Sequence, residues 1–435
     1  MQFRSTQSND SLVSFKDAVL RCLPSGGGLY VPASAADMRQ FFLYMDINTS
    51  YPELVATVAP GLLQGELNPF SASRVAESAF DFEPELQQLD DRLSILNLYN
   101  GPTGVFKDFG IAFLAAVMEE LIKNNGFAMI LSAAKGDTGV SIAQAFYKRR
   151  GIISVILYPS GPISGLDPAS FIQNGGNIIP IQIRGTFDDC QRLVTEAIND
   201  RPFAERYGIT SANAINVGRL LPQAFYYLYA FIKVKQYLEE DLIFSVPCGN
   251  FGNLIAGLYA WKFGIPVSGF IAAMNANNAF GDYIKGKDYC PHPLIATNSP
   301  ALDVSQPSNY KRLAAFYQEA PAVMRNMVYP ESVDDRATLE AMGRAWKQHN
   351  LILDPHGAVA YAAAERYIKS RDDFYGHVVI LATGHPVKQA ELVSEVIGRK
   401  LEIPEKFRKL QLKIDPAAVI APQLDALQGA IASCV

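Results

Sequence analysis

The sequence predicts an α/β fold in which the strands of a mostly parallel sheet alternate with helices. From about residue 127 onward, apolar runs rich in β-branched residues are followed by a turn of Gly, Ser or Asp and then by an amphipathic stretch. Continuous apolar runs are typical of strands buried on both faces, and their alternation with helices is typical of parallel sheets. With 435 residues, the chain is also long enough for two or three packed lobes.

Four strand-to-helix units carry this prediction. They are "FAMILSAA" through "KGDTG" into "VSIAQAFYKRR", "IISVILY" into a loop, "LIFSVPC" through "GNFGN" into "LIAGLYAWKF", and "HVVILAT" through "GHP" into "VKQAELVSEVIGR". The first ninety or so residues lack this pattern and predict a separate N-terminal lobe. Residues 290–312 are rich in Pro, Ser and Asn and are long for a simple connection, so we expect them to line a cleft.

Composition and charge exclude several classes of partner. Hydrophobic residues make up 49% and charged residues 19% of the chain, which argues against extended disorder. A net charge of −5 gives no general attraction for nucleic acid or for anionic membranes. No apolar run approaches the ~20 residues that cross a bilayer, and the start of the chain lacks the apolar core of a signal peptide. We therefore expect a cytoplasmic protein with no nucleic-acid or membrane partner.

The cysteines and histidines do not indicate a metal site. The five cysteines are far apart and form no C-x-x-C pair, and we interpret them as reduced thiols that mostly serve packing. The five histidines show no H-E-x-x-H spacing. A protein-bound catalytic metal is not expected.

The turn "CGNFGN" (248–253) follows a predicted strand and opens a helix. Gly249 and Gly252 allow a close backbone approach, and the exposed amides and the helix dipole favour an anion such as a phosphate group. The alternative is a tight turn whose glycines only satisfy a positive φ. Both interpretations stay open on these residues alone.

Two further turns lie at the ends of predicted strands. In "KGDTG" (135–139), Asp137 and Thr138 can cap the following helix, and the N–H groups there would suit a carboxylate or a hydroxyl. In "ATGHP" (382–386), Thr383 stands at a strand tip where its hydroxyl can bond a ligand atom. Capping alone would also explain both turns.

Lys107 stands in an apolar context within "GPTGVFKDFG" (101–110). If its ammonium is desolvated near a pocket, the neutral amine becomes a usable nucleophile for an aldehyde cofactor. The alternative is a lysine that reaches the surface or pairs with Asp108. A reactive lysine, a phosphate-sized turn and a hydroxyl together match the aldehyde, phosphate and ring nitrogen of pyridoxal phosphate.

Nine ordered motifs carry a resemblance to a known family: "SGGGLYVP", "LNLYNGPTGVFKDFG", "GDTG", "GTFDDCQ", "SANAINVGRLLPQ", "VPCGNFGN", "SPALDVSQPSN", "DPHGAVAY" and "LATGHPVK". Through nearly its whole length the chain resembles threonine synthase, a fold-type II pyridoxal-phosphate enzyme related to the tryptophan synthase β-subunit. The resemblance implies a parallel-sheet architecture with an additional N-terminal lobe. We expect the lobe at 1–90, a large cofactor-binding domain at 91–110 and 222–435, and a smaller α/β domain at 111–221.

The resemblance also implies the cofactor site. Lys107 would be the catalytic Schiff-base lysine of pyridoxal 5′-phosphate. Thr383 would place its hydroxyl against the pyridine nitrogen. The cradle for the cofactor phosphate would be formed by Gly249, Asn250, Phe251, Gly252 and Asn253.

On the substrate side, the resemblance implies contacts with a small amino-acid substrate from Lys135, Asp137, Thr138, Gly139, Ser164, Asn213, Asn216 and Arg219. The implied reaction converts O-phosphohomoserine and water to threonine and phosphate. The sequence does not settle the oligomeric state, and we expect a monomer or a homodimer. Lys107 would move protons at Cα and Cβ, while phosphate leaves Cγ and water adds at Cβ.

Three departures from the family pattern fall on the substrate side. Lys135 stands where the family has Ser, Pro162 stands where it has a basic residue, and Asn100 replaces the His of H-G-P-T. Losing the basic residue removes a charge-assisted contact worth ~1.5–3 kcal/mol. A second hypothesis is therefore elimination or replacement on a different amino acid, with or without a phosphate. A non-catalytic relative is a third, against which the intact "FKDFG" argues.

Overall fold

The structure is a computed structural model. It describes residues 1–7, 11–63, 65–124, 126–134, 136–160, 175–238, 240–285, 287, 289–290, 293–408 and 416–434. Its strands are β1 (Phe3–Ser5), β2 (Tyr30–Pro32), β3 (Glu85–Asp90), β4 (Leu93–Asn97), β5 (Ala128–Ala133), β6 (Ile152–Pro159), β7 (Ile178–Ile183), β8 (Ile209–Thr210), β9 (Leu242–Pro247), β10 (Gly269–Met274), β11 (Val328–Ser332), β12 (His377–Ala382) and β13 (Ala418–Ile420).

The α-helices are α1 (Phe15–Arg21), α2 (Arg39–Tyr44), α3 (Tyr51–Leu62), α4 (Pro69–Ala79), α5 (Lys107–Leu121), α6 (Asp137–Phe146), α7 (Phe187–Asn199), α8 (Arg201–Tyr207), α9 (Val217–Leu220), α10 (Ala224–Val234), α11 (Gly252–Lys262), α12 (Ala279–Ile284), α13 (Tyr310–Glu319), α14 (Pro321–Met327), α15 (Asp335–His349), α16 (Pro355–Lys369), α17 (Ala390–Ile397), α18 (Glu405–Arg408) and α19 (Leu424–Cys434). Short 3-10 helices cover Leu221–Gln223, Pro300–Leu302 and Pro386–Gln389. No helix in these described ranges is long and apolar enough to cross a membrane.

Two separate sheets form the body of the protein. The larger has the order β11-β10-β9-β12-β4-β3 and is parallel except where β3 meets β4. The smaller has the order β13-β7-β6-β5-β8 and is parallel throughout. The α/β class predicted from the alternating runs is confirmed.

The central strands explain why the sequence pattern was informative. Every residue of β5, β9, β10 and β12 is buried, as expected for strands covered by helices on both faces. Each fully buried Val, Leu, Ile or Phe contributes about 1.5–3 kcal/mol relative to an exposed position. The strands of the four strand-to-helix units, and the helices that follow β5, β9 and β12, begin and end close to the predicted places. The predicted loop after β6 lies mostly outside the described residues.

The N-terminal residues form a helical layer with a small antiparallel hairpin, in which Phe3 pairs with Pro32. The side of this layer that faces the body is apolar, and residues such as Tyr51, Leu54 and Val58 are fully buried in the main core. The chain then enters the larger sheet through β3 and β4.

Two strands depart from the expected domain boundaries. β3 lies in the range 1–90 that we assign to the N-terminal lobe, but Glu85 pairs with Asn97 of β4 in the larger sheet. β13 belongs to the range 222–435 that we assign to the larger domain, but Ala418 pairs with Ile181 at the edge of the smaller sheet. The tail therefore returns to the smaller sheet, and α19 packs there through Leu427 and Ile431. The other boundaries stay a prediction.

Candidate active site

A cavity of about 620 Å³ lies where the carboxyl ends of the two sheets face each other. β4, β9 and β12 lead into it from the larger sheet, and β5 and β8 lead into it from the smaller one. Ligands of parallel α/β sheets gather at such strand ends. The predicted residues on its wall are Lys107, Asp137, Thr138, Asn213, Arg219, Gly249, Asn250, Phe251, Gly252, Asn253 and Thr383.

Lys107 begins α5 on the cavity wall and is partly buried. The residue before it donates its backbone N–H to the carbonyl of Thr383 at 3.0 Å, so the lysine and the threonine turn are joined directly. No hydrogen bond or ion pair from another described residue reaches Lys107 Nζ. Burial, reinforced by the nearby Arg219 and Lys388 charges, lowers the pKa of Lys107 below its usual value, although Asp137 and Asp108 oppose the shift.

The neighbouring Asp108 is turned away from the lysine. Its carboxylate accepts hydrogen bonds from Thr103 N at 2.8 Å and from Thr103 Oγ1 at 2.5 Å, and Thr103 Oγ1 also contacts Ser141 Oγ at 2.8 Å. Burial raises the pKa of Asp108 despite these bonds. The alternative in which Asp108 is the ion-pair partner of Lys107 is therefore not what the structure has.

The turn from 248 to 252 joins β9 to α11. The alternative in which Gly249 and Gly252 only satisfy a positive φ is wrong, because the residue with a positive φ in this turn is Phe251, at 57°. Gly249 serves close approach instead, because an added Cβ would lie 2.8 Å from Leu302 Cα and 2.9 Å from Ala301 O. The backbone N–H groups at the start of α11 are left open toward the cavity.

Asn253 has an amide that is fixed by two tyrosines. Its Oδ1 accepts the Tyr226 hydroxyl at 2.6 Å and the Tyr227 hydroxyl at 2.8 Å. Its Nδ2 is buried without a hydrogen-bond partner among the described residues, and Asn253 lines the cavity. An acceptor that enters the cavity would satisfy this donor.

The turn from 136 to 139 joins β5 to α6, and its capping differs from the prediction. Gly136 is the N-cap, and no side chain caps the helix, so Asp137 and Thr138 do not act as caps. Asp137 instead forms an ion pair with Lys388, with Nζ 2.7 Å from Oδ1. Burial alone would raise the pKa of Asp137, but attraction to Lys388 and Lys107 lowers it below its ordinary value.

Arg219 is a buried cation on the cavity wall. One guanidinium nitrogen, Nη1, donates to Ala212 O at 2.7 Å, whereas Nε is buried without a partner among the described residues. Burial lowers the pKa of Arg219 to about 10. No carboxylate of the described part of the chain forms an ion pair with it, so the site can accept an anion.

The remaining substrate-side predictions have different outcomes. Asn213 lines the cavity and holds the end of β5, since Oδ1 accepts Ala133 N at 2.9 Å and Nδ2 donates to Ala133 O at 2.7 Å. Asn216 does not line the cavity; it is fully buried, caps α9 through Gly218 N and donates to Val19 O. Gly139 is buried in the first turn of α6, where its N–H is already bonded to Gly136 O.

Lys135, Pro162 and Ser164 lie outside the described residues. The third substituted position, Asn100, is described but does not line the cavity. Its Nδ2 donates to Glu83 O at 3.3 Å. The replacement of the family's histidine is therefore a change beside the site rather than on its wall.

Several polar residues on the cavity wall were not predicted individually. Four of them are Lys388, Asp354, His356 and Ser308. His356 Nδ1 lies 2.5 Å from Asp354 Oδ2, and His356 Nε2 accepts Ala301 N at 3.0 Å. All stand in quoted motifs, "LATGHPVK", "DPHGAVAY" and "SPALDVSQPSN", and their polar types within those motifs were the available signal.

The arrangement fits pyridoxal phosphate. One cavity is lined by the Lys107 amine, which has no hydrogen-bond or ion-pair partner among the described residues, by the open amino end of α11 with the Asn253 amide beside it, and by Thr383 at the tip of β12. They correspond to the aldehyde, phosphate and ring nitrogen of the cofactor. The fold and the site together define a pyridoxal-phosphate enzyme of fold type II.

The comparisons with known proteins agree with this class. Residues 83–384 match the family of pyridoxal-phosphate dependent enzymes. Residues 2–80 match the threonine synthase N terminus, and residues 357–431 match the threonine synthase C-terminal family.

Individual relatives narrow the class further. Threonine synthase of Buchnera aphidicola is 34% identical over 420 residues, which is 95% of each chain. The crystal structure of threonine synthase from Escherichia coli superposes with a TM-score of 0.88 at 32% identity and full coverage of both chains. That of PLP-bound threonine synthase from Brucella melitensis gives 0.87 at 27% identity, covering 99% of this chain and 98% of that one. The chain belongs to the threonine synthase family, and its cofactor is pyridoxal phosphate.

Proposed function

We propose that this chain converts O-phosphohomoserine and water to threonine and inorganic phosphate, as a carbon–oxygen lyase whose catalytic residue is Lys107. The observation that carries the proposal is the Lys107 amine, which has a lowered pKa and no hydrogen-bond or ion-pair partner among the described residues, in the same cavity as the amino end of α11. The family membership supports threonine synthase chemistry and does not favour a different amino-acid substrate.

Pyridoxal phosphate, when bound, supplies an electron sink for a carbanion at the substrate α-carbon. Gly249 to Asn253 would hold its phosphate, and Thr383 would offer a neutral hydroxyl to its ring nitrogen. The Asn253 Nδ2 donor supports this assignment, because it is buried and otherwise unsatisfied.

Lys107 would act as the proton carrier of the reaction. A base that serves several steps needs a pKa near the working pH, and burial of Lys107 shifts its pKa in that direction. The free amine would take protons from Cα and from Cβ, and would return protons to Cγ and, last, to Cα. The C–O bond at Cγ breaks as phosphate leaves, the oxygen of water forms a bond to Cβ, and the water gives up one proton to the amine.

Two anion subsites would orient the substrate. The start of α6, with Asp137 and Thr138 on the cavity wall, would receive the α-carboxylate through backbone N–H groups. Lys388 neutralises Asp137 there, so that the carboxylate does not meet an isolated negative charge. Arg219 would bind the phosphate group of the substrate, because its guanidinium is buried, charged and without a carboxylate partner among the described residues.

Product analysis tests the reaction. Purified holoenzyme is incubated with O-phosphohomoserine, and threonine and phosphate are measured together. We expect the two in equal amounts. Formation of 2-oxobutyrate would indicate elimination, and no turnover alongside activity on another homoserine or serine ester would contradict the proposed substrate.

A Lys107→Ala variant tests the catalytic assignment. We expect wild-type protein to show a visible absorbance band from the bound cofactor that borohydride abolishes, and the variant to lack both the band and turnover. Arg149→Lys is the control, since Arg149 bonds to Ser78 and Glu119 away from the cavity. Wild-type protein without the band and without cofactor uptake would overturn the proposal.

Two finer assignments complete the proposal. A cytoplasmic location is supported by the five cysteines, all of which are free, including the exposed Cys290 and Cys434. The partner is a small amino-acid substrate, and the assembly is a monomer or a homodimer. Measuring the mass in solution decides between these two states.

A further inference from the structure

Arg312 is among the largest side chains that are fully buried in the protein, and no step of the proposed reaction uses it. It lies in α13, at 0% exposure. No carboxylate of the described residues forms an ion pair with it. Burial lowers the pKa of Arg312 to about 10, which leaves the guanidinium charged near neutral pH. A buried charge of this kind is costly and needs its hydrogen bonds.

The guanidinium satisfies this need by joining three segments. Nε donates to Tyr30 O at 3.0 Å in the N-terminal hairpin. Nη1 donates to Ala214 O at 2.9 Å, and Nη2 donates to Ile215 O at 2.6 Å, in the loop between β8 and α9. Ala214 and Ile215 both line the cavity, so the loop that Arg312 holds is the substrate-side wall.

The third segment, which contains Asn309, lies beside the turn 248–252 that we propose to hold the cofactor phosphate. Nη1 of Arg312 also donates to Asn309 Oδ1 at 2.6 Å, which fixes the orientation of that amide. Asn309 is fully buried, and its Nδ2 has no hydrogen-bond partner among the described residues. A Cβ added at Gly252, the first residue of α11, would lie 3.5 Å from this Nδ2.

The residue before Asn309 also serves the same turn. Ser308 donates its backbone N–H to Asn250 Oδ1 at 2.5 Å and its hydroxyl to the same oxygen at 3.0 Å. Of the two residues that precede α13, Ser308 lines the cavity and bonds to Asn250. Asn309 does not line the cavity itself, but its Nδ2 lies on the side of Gly252 where a side chain would stand. Arg312 anchors this pair from one helical turn away.

We propose that Arg312 is a positioning residue that orients the Asn309 amide, so that Nδ2 donates to the anion held at the start of α11, while also holding the substrate-side loop. Asn309 would thus be a further contact for the cofactor phosphate, beyond the turn itself. An arginine suits this position because its planar group donates in several fixed directions, which a lysine cannot do. The inference rests on the proposed role of Gly249 to Asn253.

The test compares two ligands that differ only in the phosphate. Apoenzyme is titrated with pyridoxal phosphate and with pyridoxal, and both Kd values are measured by absorbance. For Asn309→Ala we expect Kd for pyridoxal phosphate to rise about tenfold, the size of one lost hydrogen bond to a charged group, and Kd for pyridoxal to stay within about twofold. Arg312→Lys should lower the preference for the phosphorylated ligand in the same way and should also raise KM for the substrate.

The controls separate positioning from general stability. Arg149→Lys also loosens a contact of the N-terminal lobe, through Ser78, and should leave the preference between the two ligands unchanged. If Arg312→Lys does not fold, Asn309→Ala decides the question alone. Equal losses of affinity for both ligands in Asn309→Ala, or none, would overturn the proposal. Wild-type apoenzyme that binds neither ligand would instead overturn the cofactor site itself.

Discussion

Lys388 Nζ lies 2.7 Å from Asp137 Oδ1, and this ion pair spans the cavity between the two sheets. Lys388 follows β12 of the larger sheet in the 3-10 helix Pro386–Gln389. Asp137 follows β5 of the smaller sheet and starts α6. Their side chains are only 14% and 23% exposed, so solvent screens the pair weakly. Lys388 therefore neutralises the charge of Asp137 at the place where we expect the substrate carboxylate to bind.

Replacing Lys388 by Met should weaken substrate binding and change the pH dependence. We expect KM to rise about tenfold or more, because the substrate carboxylate then meets an unbalanced Asp137. Lys388 also lowers the pKa of Lys107 by repulsion, so its loss should raise that pKa. Steady-state kinetics against pH should show the acidic limb of kcat shifted to higher pH.

The matched variants for this prediction are Lys388→Arg and the double variant Lys388→Met with Asp137→Asn. The arginine keeps the charge and should retain most of the affinity. The double variant removes both charges and should recover part of the loss in KM. The single variants Lys388→Met and Asp137→Asn are measured alongside the double variant. If their effects on KM simply add in the double variant, Lys388 and Asp137 are not coupled and the explanation fails.

Arg219 predicts a second effect on affinity. Replacing it by Gln should raise KM for the phosphorylated substrate by about 10-fold to 150-fold, the equivalent of ~1.5–3 kcal/mol for a hydrogen bond to a charged group. Inhibition by inorganic phosphate should weaken by a similar factor. For Arg219→Lys we expect a KM between those of wild type and Arg219→Gln, because lysine keeps the charge without the planar geometry. Unchanged phosphate inhibition in Arg219→Gln would remove Arg219 from the phosphate subsite.

The cofactor side of the site was predictable because its parts are local in the sequence. The turn 248–252 and Thr383 each follow directly on an apolar strand, and Lys107 follows the apolar strand β4 after the short segment 98–106. The carboxyl ends of parallel strands converge. An apolar strand followed by a turn therefore predicts that these residues lie at the same edge of the sheet, and their residue types predict what they can bind. The order of the strands was not needed for this step.

The substrate side was less predictable because it depends on contacts between distant segments. Lys388 and Asp137 are 251 residues apart, and only the packing of the two sheets brings them together. The same limit applies to side-chain direction. Asn213 and Asn216 belong to one motif, yet one lines the cavity and the other is buried as the cap of α9. Spacing alone does not distinguish such neighbours.

Gly249 should not tolerate even a methyl group. An alanine Cβ would lie 2.8 Å from Leu302 Cα and 2.9 Å from Ala301 O, and neither backbone atom can move without shifting the segment that lines the cavity. For Gly249→Ala we expect the affinity for pyridoxal phosphate to fall about tenfold or more, with a lower melting temperature. Titration of the apoenzyme and thermal unfolding measure both effects.

The control for that variant is Gly343→Ala in α15. No heavy atom lies within 4 Å of the added Cβ, and the position is helical. Alanine should therefore leave cofactor binding unchanged and stabilise the fold by about 0.4–1 kcal/mol. A Gly249→Ala protein that binds the cofactor like wild type would show that the close approach to Leu302 is not needed.

Lys107 should cost the apoenzyme stability, and the cost should depend on pH. The pKa of Lys107 is lower in the folded protein than the ordinary 10.5. At pH values between the folded-state pKa and 10.5, the unfolded chain therefore binds more protons than the folded one. The contribution of Lys107 to the free energy of unfolding therefore becomes more favourable as the pH rises through that interval. Lys107→Met removes the buried charge and the titration together. The apoenzyme of this variant should be more stable than wild type near neutral pH.

The measurement is denaturant unfolding of both apoenzymes at several pH values. The advantage of Lys107→Met should shrink as the pH rises toward 10.5 and beyond, because the lysine is half neutral in the unfolded chain at pH 10.5 and neutral in both states only above it. Lys347→Met, at an exposed position near the end of α15, is the control for the loss of a lysine side chain from a helix. A constant difference between wild type and Lys107→Met would mean that the Lys107 ammonium is fully solvated. In that case the amine would lack the activation on which its catalytic role depends, since a solvated lysine stays protonated at the working pH.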